Sequence, residues 1–174
     1  MATDLLPAYL AVGPDELKRN KMVERLKKRL NESFSAFNLD EFTGSTVDID
    51  VLVSALQTMP MGDSRRIVIL READKLSKAA SEVVILYLEN PNPTTTLLLT
   101  AQTLARTTRL YKAVAKIGEK SVVLCASMKP RELAPYVQKL AASYGLVIDF
   151  SAAQELVDRV GDSTTMLDAP VKTL

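Results

Sequence analysis

The sequence contains no histidine and a single cysteine, Cys125. Those two shortages remove much of the usual catalytic repertoire. A zinc site needs several Cys, His or carboxylate ligands at set spacing, and a nucleophilic triad needs an imidazole as its base. Cys125 cannot close an internal disulfide, and its setting in Val122-Val123-Leu124-Cys125-Ala126 predicts a buried, inert thiol. No apolar run approaches the roughly 20 residues of a membrane span, and the N-terminus has no signal-peptide pattern, so a cytoplasmic, bacterial-type protein is expected. A charge excess is lacking too. Basic residues number 22 against 21 acidic, a net charge of +1, so any nucleic-acid contact must come from a local cluster.

What is present is a series of short apolar runs. Residues 8–12, 37–42, 66–70, 95–100 and 121–126 read as strands, and stretches such as Ile67-Val68-Ile69-Leu70 are continuously apolar, not alternating. That pattern predicts a parallel sheet covered on both faces. Helical segments fall between the strands: 15–31, 49–58 capped by Asp48, 78–89 capped by Ser77, and a segment near 106–116. Alternating strands and helices imply right-handed crossovers and a doubly wound α/β domain over 1–128. A small helical domain is expected over 129–174. Pro130 opens its first helix, Gly145 closes it, and Pro135 is expected to kink it. Ser151-Ala152-Ala153-Gln154 reads as a capping box for a second helix ending at Gly161, and a third helical segment begins near Thr164 and holds Pro170.

The first strand, Gly13 and the following helix stand where a phosphate-binding loop would be expected. A working loop needs a second glycine and then Lys-Ser/Thr, so that amides, an ammonium and a hydroxyl converge on phosphate and Mg²⁺. Counting on from Gly13, those slots hold Lys18, Arg19 and Asn20, and Asp15-Glu16 place carboxylates where phosphate would meet the helix dipole. At the end of the third strand an ATPase needs an aspartate for Mg²⁺ and then a glutamate. Here stand Arg71 and Glu72, which also fit a solvated strand end. The expectation is a nucleotide-binding architecture with no catalytic residues, no metal site and no cofactor.

Several stretches follow in a telling order: Tyr9-Leu10-Ala11-Val12-Gly13, Phe37-Asn38-Leu39-Asp40, Arg65 through Leu76, Leu88-Glu89-Asn90-Pro91, Leu110-Tyr111-Lys112-Ala113 and Lys129-Pro130-Arg131-Glu132-Leu133. Together they resemble the delta-subunit family of bacterial DNA polymerase III clamp loaders, over about 5–165. The resemblance implies an AAA+-like five-stranded parallel sheet followed by a helical lid. It implies a subunit that binds the sliding clamp, the beta subunit, and holds the ring open for loading onto primed DNA while partner subunits hydrolyse ATP. Any DNA polymerase or nucleotidyltransferase activity then belongs to the assembly. Partners implied are the clamp, the other loader subunits and primed DNA. The sequence stops within the expected last lid helix, so the family's collar domain, and assembly through it, is expected to be lacking.

The resemblance also assigns residues. Met59-Pro60-Met61-Gly62 matches the segment that inserts apolar side chains into a clamp pocket, with Met61 as the anchor and Leu56 in support. Read without it, the same methionines fit a helix end tucked into the core. Arg106, Arg109, Lys112 and Lys116 recur at helical spacing with no acid between them, a stripe suited to DNA phosphates or to a solvated face. The basic residues of the first helix alternate with Glu16 and Glu24 and read as a solvated face. Two other readings share these elements: an active ATPase of the same fold, and a flavodoxin-like or response-regulator-like signalling domain.

Overall fold

The computed structural model describes residues 5–161 together with 166, 167 and 171. Strands β1 (Ala8–Val12), β2 (Leu39–Thr43), β3 (Arg66–Arg71), β4 (Thr95–Ala101) and β5 (Val122–Leu124) form one sheet in the order β2-β3-β4-β1-β5, every neighbouring pair parallel. Helices α1 (Glu16–Lys27), α2 (Ser35–Asn38), α3 (Ile49–Gln57), α4 (Lys78–Glu89) and α5 (Arg109–Ala115) alternate with the strands. Flavodoxin-like sheets run 2-1-3-4-5. Here β1 lies between β4 and β5, which removes the signalling-domain reading.

The continuous apolar runs are explained by burial on both faces. Ile67, Val68, Ile69, Leu70, Leu97, Leu98 and Leu99 all show zero exposure. Alternate residues feed two separate cores, as the period of two demands. Leu10, Val68, Leu70, Leu97 and Leu99 pack with Leu52, Leu56, Val84, Leu110 and Val114 from α3, α4 and α5. Ala11, Ile67, Ile69 and Leu98 pack with Val23, Leu26 and Leu30 from α1 and the turn after it, and Cys125 is buried in the same cluster.

Chain contacts divide into two units, one holding Lys18–Cys125 with the first strand, the other Ala126 onward with Asp15–Leu17. In the second unit, α6 (Pro130–Ser143) and α7 (Phe150–Val160) bury Leu133, Val137, Ala141, Ala153 and Val157 together with Leu167 and Val171. α6 runs unbroken through Pro135, with Pro130 in its first turn and the Lys129 amide donating to Glu132 Oε2 at 3.0 Å. The cap of α7 is Asp149, whose Oδ1 accepts from the Ala152 amide at 2.7 Å, and not Ser151, which lies inside the helix. Gln154 therefore bonds to Asp158 one turn on. Thr164 and Pro170 lie outside the described residues. Among the described residues, no helix is long and apolar enough to cross a membrane.

Candidate functional site

Because all five strands are parallel, their C-terminal ends share one rim of the sheet and their N-terminal ends the other. Gly13, Arg71 and Glu72 follow β1 and end or follow β3 on the first rim, where α/β folds take ligands. At that rim the turn's polar groups are already engaged. The Gly13 amide donates to the Ala101 carbonyl at 3.1 Å, and the Gly13 carbonyl accepts from the Arg19 guanidinium. Gly13 has φ +141, and a Cβ there would stand 2.3 Å from the Cys125 carbonyl oxygen, so the chain after β5 closes over the turn. Lys18 is half-buried.

Arg71 is held equally firmly. Its guanidinium donates to Asn20 Oδ1 at 3.0 Å and to Glu41 Oε2 at 3.2 Å. Glu41 is shared with Lys27, whose Nζ approaches Oε1 to 2.5 Å. Burial pushes the Glu41 carboxyl up, but Lys27 and Arg71 outweigh it and hold the group below its ordinary pKa. Glu72 takes the left-handed conformation, φ 54, and turns to Lys75 at 2.9 Å, which lowers its pKa through that hydrogen bond. Cation and carboxylate thus neutralise each other at the place where an ATPase would hold Mg²⁺. Among the described residues no three His, Cys, Asp or Glu gather as metal ligands.

The opposite rim carries the loop 58–65, between α3 and β3. Thr58 ends α3 by bonding back to the Ser54 carbonyl through both its amide and hydroxyl, at 3.0 and 2.7 Å. Met59 and Met61 are 67% and 59% exposed, so neither tucks into the core. Leu56 does: at 1% exposure it belongs beneath α3 and cannot touch a partner directly. The exposed methionines stand on a fixed backbone. Fully buried Asn38, the last residue of α2, donates its side-chain amide to the Met61 carbonyl and accepts from the Met61 amide, both at 2.7 Å. Gly62 has φ +65, and a Cβ there would lie 2.6 Å from the Phe34 ring, so a side chain at 62 is excluded by the aromatic packed across it. Asp63 closes the loop by accepting from the Asn31 amide at 2.8 Å and the Ser64 amide at 2.6 Å; the Asn31 bond leads in lowering its pKa.

Next to this brace stands Phe37, 57% exposed, whose carbonyl accepts from Arg66 Nη1 at 2.7 Å. Arg66 also pairs with Asp40. Reading 37–42 as a strand hides Phe37 and Asn38, because nothing local in Ser35-Ala36-Phe37-Asn38 signals a single helical turn. An exposed triplet of Phe37, Met59 and Met61, with Pro60 half-buried between the methionines, is the outcome.

The basic stripe is only partly preserved. α5 begins at Arg109 with Thr108 as its cap, so Arg106 lies in the preceding turn and leaves the helical row. Arg109 is drawn to Glu82 of α4 at 2.5 Å, an acid invisible from spacing along α5. Lys112 and Lys116 remain exposed beside a cavity of about 590 Å³ lined also by Ile85, Leu88 and Glu89.

A family model described as DNA polymerase III, delta subunit, matches residues 9–126. Among curated protein sequences, none matches the chain. Among solved structures, the Bacillus subtilis DNA clamp loader delta protein is similar with a TM-score of 0.73 at 21% identity, over 96% of this chain and 52% of that one. The RuvB Holliday junction branch migration motor of Thermotoga maritima is similar at TM-score 0.63 and 16% identity, over 95% of this chain and 53% of that one. A gamma subunit-related protein of DNA polymerase III from Thermotoga maritima gives 0.56 and 18%, over 97% and 53%. These likenesses show an AAA+-like fold, and the chain spans about half the length of each of these proteins. The matched family model covers both the sealed turn at Gly13 and the braced methionine loop, and on it the chain belongs to the delta-subunit family of DNA polymerase III.

Proposed function

We propose that this chain docks on a ring-shaped sliding clamp through Met59-Pro60-Met61 and favours the open ring, performing no chemistry itself. One observation carries the reading: two methionines more than half exposed stand on a backbone that Asn38 holds at both polar groups of Met61. Methionine is unbranched and adaptable, suited to a partner's apolar pocket, and a pre-ordered backbone avoids the ordering cost of docking. Ring opening then requires only tighter binding to the open than to the closed clamp. Arg19 and Arg71 are both committed to neighbours at the opposite rim, which favours this reading over an active ATPase of the same fold. ATP hydrolysis falls to other loader subunits, and Lys112 with Lys116 are the residues suited to touch the phosphates of primed DNA.

The test is calorimetric titration of the sliding clamp from the same organism. Met61→Ala removes most of an apolar side chain worth about 1.5–3 kcal/mol when fully buried, so about 1–2 kcal/mol and roughly 5- to 30-fold in Kd should be lost. The melting temperature should not change, because Met61 is exposed in the free protein. Unchanged affinity for Met61→Ala, or no binding of the unmodified chain, would sink the proposal.

A further inference from the structure

The N-terminal rim of the sheet holds a second feature, three strands along from the methionine loop in the order β3-β4-β1-β5. At about 4.8 Å per strand the two lie about 14 Å apart, within the roughly 30 Å breadth of a standard protein–protein interface. The feature is a groove of about 720 Å³ between the residues before β1, the end of α1 and the turn before β5. Leu5, Tyr9, Met22, Leu26 and Val123 form its apolar floor. Its edge is cationic: Arg25, Arg29 and Lys120, with Glu119 as the one carboxylate, all four exposed. Lys27 between the two arginines is taken up by Glu41, whereas Arg25, Arg29 and Lys120 have no ion-pair partner among the described residues. Three unneutralised cations around an apolar floor repel one another in the free protein and are relieved by an anion whose apolar part fills the groove.

We infer that this groove is a second docking point for the same ring-shaped partner, receiving a segment that carries an apolar side chain flanked by carboxylates. The inference rests on the reading of Met59–Met61 as the clamp anchor. Its support is the shared rim, the spacing and the cationic edge around an apolar floor, which calls for such a segment. The experiment titrates the clamp against the unmodified chain, Met61→Ala, the double variant Arg25→Glu/Arg29→Glu, and Lys120→Glu, at about 50 and about 300 mM salt, on either side of effective screening. The double variant should bind about tenfold more weakly at low salt, with the gap closing at high salt, as for charges at the border of an interface. Met61→Ala should be weakened alike at both. Full affinity of the double variant at low salt, beside a weakened Met61→Ala, overturns the inference and leaves the anchor standing. Loss of binding by neither variant overturns both, as does failure of the unmodified chain to bind. A titration with dodecanoate completes the set: saturable binding abolished by the double variant, with clamp affinity intact, makes the groove a small-ligand site and overturns the docking assignment.

Discussion

Replacing Asn38 tests whether the brace, and not the methionines alone, makes the loop a docking element. Its side chain is fully buried and makes two hydrogen bonds of 2.7 Å, one to each polar group of the Met61 backbone. Asn38→Ala removes both, and at about 0.5–1.5 kcal/mol for each neutral bond the loss is about 1–3 kcal/mol. Both bonds are only part-buried, so water can reach the freed Met61 groups, which keeps the loss inside this range. Urea denaturation reads it as a lower midpoint with an unchanged slope. Docking should suffer as well, since a loop that holds its bound shape only part of the time has its affinity reduced by that fraction. A weakening of about fivefold follows if about 1 kcal/mol of ordering is transferred to the binding step. Calorimetry with the clamp, carried out where the variant is still folded, supplies the second number. A drop in stability with clamp affinity untouched refutes preorganisation of the methionines. No drop in stability refutes the hydrogen-bond pair itself.

Gly13→Ala should lose about 3 kcal/mol or more, since it adds a backbone clash 2.3 Å from the Cys125 carbonyl to a conformation strained for any L side chain; a melting temperature equal to that of the unmodified chain would refute the closed turn. Asp63, whose folded pKa lies below its ordinary value, contributes stability in full above the unfolded pKa near about 3.9, and that contribution is lost as pH falls through the folded value. Asp63→Asn should therefore differ from the unmodified chain at pH 7 and converge on it at the acid end, by no more than about 1 kcal/mol at so exposed a group, as read by urea midpoints across the pH range. For Lys112→Glu/Lys116→Glu, the affinity of this chain for primed DNA should fall, and the slope of log K against log salt should flatten by about 0.9 for each lost phosphate contact; an unchanged slope assigns the stripe to solvent.

Strong local signals carried much of the fold. Ile67–Leu70 and Leu97–Leu99 have no polar side to offer, so only a doubly covered parallel strand suits them, and Asp48 and Ser77 cap α3 and α4 as their positions require. Errors arose where distant residues decide. α1 stops at Lys27, not Asn31, because the chain tightens there and the Asn31 amide is claimed by Asp63, 32 residues on. β2 begins at Leu39, since Ser35–Asn38 form a helical turn that points the Asn38 side chain at Met61 and keeps its backbone out of the ladder. The site followed the same rule. Met59 and Met61 could be named from their place after α3, but their exposure could not, and Phe37, Asn38 and Phe34 emerge only when residues from α2 and the turn before it close on the loop. Arg109 looked unopposed because Glu82 lies on another helix.

The turn at Gly13 has an implication for how this chain can change over time. Its amide is spent on Ala101, its carbonyl on Arg19, and the approach above it on Cys125. A lysine at position 19 would leave the Gly13 carbonyl without its guanidinium on a turn still fastened at Ala101 and Cys125, and an aspartate at 71 would face Glu41 across the gap that Arg71 now bridges. Each such substitution alone would add repulsion or leave a polar group without a mate, so anion capture demands several coordinated replacements. Anion capture is in this sense locked out: sterically and electrostatically, no single replacement opens this rim to phosphate.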